Sequence, residues 1–98
     1  MIKRFYNIVI FFIFLSLSAS AQLDSIDLDG SYRSYLLHLP TDFNSDELYP
    51  LLIAMHGGFG SGTQLENQSQ LSVKADEENF IVVYPNGSAG FLNIRTWN

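Results

Sequence analysis

The sequence predicts an α/β fold, a mostly parallel sheet flanked by helices, and three observations carry that expectation. The apolar run Leu51-Leu52-Ile53-Ala54-Met55 does not alternate with polar residues, the pattern of a strand covered on both faces. Residues Gln64 to Glu78 set Leu65, Leu71, Val73 and Ala75 among polar positions, a modest amphipathic helix. Phe80-Ile81-Val82-Val83-Tyr84 is a second buried-type strand. Strand, glycine-rich turn, helix and strand in this order form a βαβ unit with a right-handed crossover.

The elements follow in order. Lys3 and Arg4 precede the apolar stretch Ile8 to Leu17, and Ala19-Ser20-Ala21 has the small-x-small form of a signal-peptidase site. Residues 1–21 therefore read as a secretory signal cut after Ala21; an apolar core of roughly ten residues falls short of the ~20 that span a bilayer. The expected location is outside the cytoplasm, extracellular or periplasmic, with no stable membrane anchor. The chain has no cysteine, hence no lipid-anchoring thiol and no disulfide. Gln22 to Gly30 reads as a solvated lead. Ser31 to Pro40 alternates, with aromatic residues on both faces, and reads as an antiparallel or edge strand ended by proline. Thr41 to Tyr49 has turn composition. Thr63 and Glu66 have the spacing of a capping box, Asn79 can end the helix in the left-handed conformation, and Pro85-Asn86-Gly87 closes the second strand. Residues 22–98 show no internal repeat and no second domain.

Beyond Ala21 the basic residues are Arg33, Lys74 and Arg95, against ten acidic ones. Three scattered cations cannot supply a phosphate-backbone footprint, which excludes nucleic acid and disfavours anionic membrane surfaces. The acidic run Asp76-Glu77-Glu78 reads as a solvated helix face, no residue grouping has zinc spacing, and neither a metal nor another cofactor is expected.

The chemistry concentrates at His56-Gly57-Gly58-Phe59-Gly60-Ser61-Gly62, where the first buried strand breaks into glycine. A P-loop would need lysine where Thr63 stands. A dinucleotide fingerprint would need different glycine spacing and an acidic residue where Tyr84-Pro85 stands. A third chemistry fits: a strand-end His-Gly-Gly loop can present backbone N–H groups to the oxyanion of acyl transfer. A tight turn holding no ligand fits the same residues.

The wider pattern resembles the secreted esterases of the polyhydroxybutyrate depolymerase and feruloyl esterase type, within the α/β-hydrolase superfamily. Four segments carry the resemblance: Tyr35-Leu36-Leu37-His38-Leu39-Pro40, Tyr49 to Gly58, Ala75 to Gly87, and Thr96-Trp97-Asn98. It implies a serine esterase, with an oxyanion hole at Gly58 and Phe59, loop support from His56 and Gly57, and Trp97 at the substrate pocket. The nucleophile of such enzymes sits in Gly-x-Ser-x-Gly, followed by an acid and then a histidine. None of these three is assignable here. Asn86-Gly87-Ser88-Ala89-Gly90 departs from the motif at its first glycine, and His38 and His56 both precede any such elbow. Cores of this kind run to about 200–250 residues, so residues 22–98 read as the N-terminal portion of an α/β-hydrolase catalytic domain, incomplete and inactive alone, with the serine beyond Asn98. The implied substrate is a polyester, an esterified polysaccharide or a small ester. The competing class is a non-catalytic secreted module that binds a glycan or a peptide.

Overall fold

The computed structural model describes residues 21–89, 92 and 94–97. The leader expected over residues 1–21 lies outside them, apart from Ala21. Among the described residues no helix is long and apolar enough to cross a membrane.

The chain opens as a hairpin of β1 (Gln22–Leu28) and β2 (Ser31–His38). Asp29 and Gly30 join them with φ of 53° and 84°, the two positive values of a type I′ turn, whose twist matches that of paired strands. The register sets Leu28 opposite Ser31 and Gln22 opposite Leu37. A solvated lead is thus the wrong reading of Gln22–Gly30. Every β1 residue is exposed, so the strand has no buried face to print an apolar pattern, and only the Asp-Gly turn announces it.

With β3 (Leu51–Ile53) and β4 (Ile81–Pro85) the sheet has the order β1-β2-β4-β3. β2 runs antiparallel to β4, with Leu36 opposite Tyr84, and β3 runs parallel to β4, with Leu52 opposite Val82. Two of the three joins are antiparallel. The expected mostly parallel sheet flanked by helices, and with it the α/β-hydrolase portion implied by the resemblance, is therefore corrected to a small β-rich unit with a mixed sheet and two short helices. The cause lies in the tight Asp29-Gly30 turn, which forces β1 and β2 to run antiparallel, while the loop after Pro40 leads away to β3 and leaves β2 to pair with β4. Nor is β3 covered on both faces: Leu51, Leu52 and Ile53 are exposed at the sheet edge.

The helical stretch between β3 and β4 is also broken. α1 (Gly62–Ser69) and α2 (Leu71–Glu78) meet at Gln70, whose φ of 58° interrupts what reads as one helix in the sequence. Ser61, not Thr63, is the N-cap, its Oγ accepting the Gln64 N–H at 3.1 Å. Asn79 ends α2 in the left-handed conformation, φ 65°. A two-residue ribbon, β5 (Ser88–Ala89) with β6 (Arg95–Thr96), follows β4.

The core gathers on β4. Val82 and Tyr84 are fully buried with Leu36, Ala54 and Ala75, and the absence of a long side chain at Ala75 lets α2 lie close. His38 is also buried; its Nε2 lies 2.8 Å from Asp76 Oδ1, which accepts the Thr41 N–H at 3.0 Å as well. That carboxylate fastens the end of β2 to α2. Under the helices, Ser72 Oγ donates to Glu66 Oε2 at 2.8 Å, so its lone pair accepts the Tyr84 hydroxyl at 2.7 Å.

Burial pushes the Tyr84 phenol above its ordinary range, and the nearby Glu66 carboxylate adds to it. A phenol raised only in the folded state keeps its proton while the unfolded chain loses one, so stability falls as pH rises past the ordinary tyrosine value of ~10, by at most about 1.4 kcal/mol per pH unit. Urea unfolding between pH 9 and 11 should show this decline in the native chain and a shallower one in Tyr84→Phe.

Candidate oxyanion loop

β3 delivers His56 to a buried position, 4 % exposed. Its Nε2 lies 3.0 Å from the Gly87 backbone nitrogen and its Nδ1 lies 2.7 Å from the Gly57 carbonyl oxygen. A backbone N–H can only donate, so Nε2 is the acceptor, and Nδ1 carries the proton and donates to Gly57. The ring is thus a neutral strut with a fixed tautomer, joining the turn after β3 to the segment after β4. Trp97 reinforces it: its Nε1 donates to the His56 carbonyl at 2.8 Å, and the two rings are 4.6 Å apart.

The Gly57 carbonyl accepts a second bond, from the Gly60 N–H at 3.1 Å. Residues 57–60 therefore form a β-turn with Gly58 and Phe59 at its centre. Phe59 has φ 64°, whereas no glycine of the loop adopts the left-handed region. Positive φ at the third position alone defines a type II turn, where glycine is the usual occupant. The strained residue is thus an aromatic that is also 82 % exposed, so no packing compensates the ~1–2 kcal/mol that this conformation costs an L-residue. Among the described residues the N–H groups of Gly58 and Phe59 have no hydrogen-bond acceptor, and both residues are exposed.

The other side of the loop is set by Asn86. Its Oδ1 accepts the Gly62 N–H at 2.8 Å, its Nδ2 donates to Ser34 Oγ at 2.9 Å, and its backbone N–H donates to the Ser34 carbonyl at 2.9 Å. One side chain thereby ties the first turn of α1 to β2. Gly62 is buried against β4, where an added Cβ would stand 2.5 Å from the Tyr84 carbonyl oxygen. At Gly87 a Cβ would overlap the Thr96 backbone.

Of the residues expected at the site, His56, Gly57 and Trp97 share one hydrogen-bonded unit, and Gly58 and Phe59 project from it. Trp97 also borders a cavity of about 300 Å³ with Ile26, Leu28, Tyr35 and Pro85. Ser88 Oγ is engaged by Arg33, and among the described residues neither histidine is hydrogen-bonded to a serine. Nor do they contain a group of three or more His, Asp or Glu able to hold a metal ion. The sequence reading missed Asn86 and Gly87 as anchors. Their dipeptide reads as a turn, and only the crowding of Gly87 by Thr96 and the bonds of Asn86 to Gly62 and Ser34 distinguish it from one.

No family model matches the chain. Over 66 residues it is 33 % identical to feruloyl esterase B of Piromyces equi, a match that spans 67 % of this chain and 12 % of that protein. The chain is thus similar to a short part of an esterase.

Three outcomes follow from this geometry. Long-range ¹H–¹⁵N spectra at neutral pH should show His56 as the Nδ1–H tautomer. Gly62→Ala should cost about 1–3 kcal/mol through overpacking, measured by urea unfolding. Phe59→Gly should stabilise by about 1 kcal/mol as the left-handed strain is relieved.

Proposed function

We propose that this chain forms the oxyanion-binding part of an exported serine-type carboxylic-ester hydrolase whose nucleophile lies outside these 98 residues. The observation that carries the reading is the pair of adjacent N–H groups at Gly58 and Phe59, without acceptors among the described residues, on a turn held from behind by His56. The similarity to a feruloyl esterase supports it and favours an ester of an aromatic acid over a polyester.

In this reading a serine oxygen attacks the ester carbonyl carbon, and the carbonyl π electrons move to its oxygen. The two amides receive that charge as it forms. The tetrahedral species then collapses, the proton lost by the serine departing on the alcohol, and water repeats the sequence on the acyl-serine, releasing the acid and returning a proton to the serine. Each amide is worth ~3–4 kcal/mol when it strengthens only in the transition state. The turn that carries both is held by two hydrogen bonds to the Gly57 carbonyl, from the His56 ring and from the Gly60 N–H. The exposed Phe59 ring offers an apolar contact for the acyl group.

Gly58→Pro tests the assignment. Proline suits the second position of a type II turn and removes the N–H while leaving the fold. In a longer polypeptide that carries this segment, hydrolysis of methyl ferulate should fall about 10²–10³-fold in kcat, with little change in KM. The 98-residue chain alone should not turn over. An unchanged rate in Gly58→Pro removes Gly58 from the role, and glycan retention without hydrolysis by the longer polypeptide selects a binding module instead.

A further inference from the structure

Arg33 and Arg95 are two of the three basic residues after Ala21, and they come from β2 and β6 to line one cavity of about 410 Å³. One nitrogen of Arg33 donates to Ser88 Oγ, and one of Arg95 donates to the Gly87 carbonyl at 3.3 Å. Among the described residues neither guanidinium meets a carboxylate, although ten acidic residues are available; Lys74, by contrast, lies within 3.7 Å of both Glu77 and Glu78. A guanidinium carries five N–H donors in a planar fork, so most of the donors on both groups stay free. Two like charges in one pocket repel unless an anion lies between them. Leaving two cations without acidic partners in an acidic chain makes a local field that attracts an anion.

The remaining wall is polar. Ser31, Tyr32 and Ser88 bring hydroxyl groups to it, which suit a hydroxylated ligand better than a bare ion, and the volume lies in the range of small-molecule sites. Arginine forks match a planar carboxylate through paired bonds. We infer that this cavity binds a carboxylate-bearing sugar unit, a uronate, with Arg33 and Arg95 on its carboxylate and the hydroxyl groups of Ser31, Tyr32 and Ser88 on the ring. The inference does not rest on the ester-hydrolase reading, because it requires binding and no turnover.

The test is NMR titration of the whole chain with D-glucuronate, D-glucose and inorganic phosphate, following the arginine Nε–Hε signals. Glucuronate should shift both arginines in a saturable way, and glucose should shift neither. Arg33→Gln and Arg95→Gln should each weaken glucuronate binding by about tenfold or more, as loss of one charged partner does. The wild-type comparison of glucuronate with glucose needs no variant, so a misfolded mutant cannot hide a failure. Equal response to glucose, or saturation by phosphate that glucuronate does not displace, would overturn the assignment.

Discussion

Everything around the loop hangs on one imidazole that accepts from Gly87 and donates to Gly57. These two glycines lie on opposite sides of the helical crossover, so the His56 ring closes a long stretch of chain with two short bonds. Because it is buried, each bond acts in a medium of low polarity, where it is strong when made and costly when lost. A side chain with one donor and one acceptor on a rigid ring does this without bringing a charge inside. Glutamine has both groups, but its flexible stem would lose more rotamer freedom in holding them.

Two glycines of the site serve space and not rotation, whereas Gly57 and Gly58 have room for a side chain. At Gly62 and Gly87 another backbone passes so close that no side chain fits. The conformation that glycine normally supplies is taken by Phe59 instead. The strain thus sits on an exposed aromatic whose own N–H has no acceptor among the described residues. Asn86 complements this arrangement from below, since its three bonds fix where α1 starts relative to β2.

The parts legible in the sequence are those written in local chemistry. Asn79 announces the end of α2, the apolar block after it announces β4, and the His-Gly-Gly junction marks where the first buried-type strand gives way to a turn. The parts that were not legible depend on partners far away in the chain. β1 exposes all of its residues, so it has no alternation to read, although Asp29-Gly30 held a hairpin signal that composition alone did not weigh. The alternation of Ser31 to Pro40 announces an antiparallel strand, but that β2 stands between β1 and β4 escapes a reading built on one βαβ unit. The break at Gln70 has no glycine or proline to mark it. Within the site, His56 and its neighbours stood out, whereas the anchoring by Asn86 and the meeting of Arg33 with Arg95 arise from pairing between segments more than fifty residues apart.

Trp97 is the single tryptophan of the chain, and it lies against the His56 ring with its indole nitrogen on the His56 carbonyl. An optical signal is therefore built into the one place where the turn is held. Opening of that contact would change the surroundings of the indole and with them its emission. The molecule thus carries its own fluorophore, and a spectrometer can watch the loop without any added label.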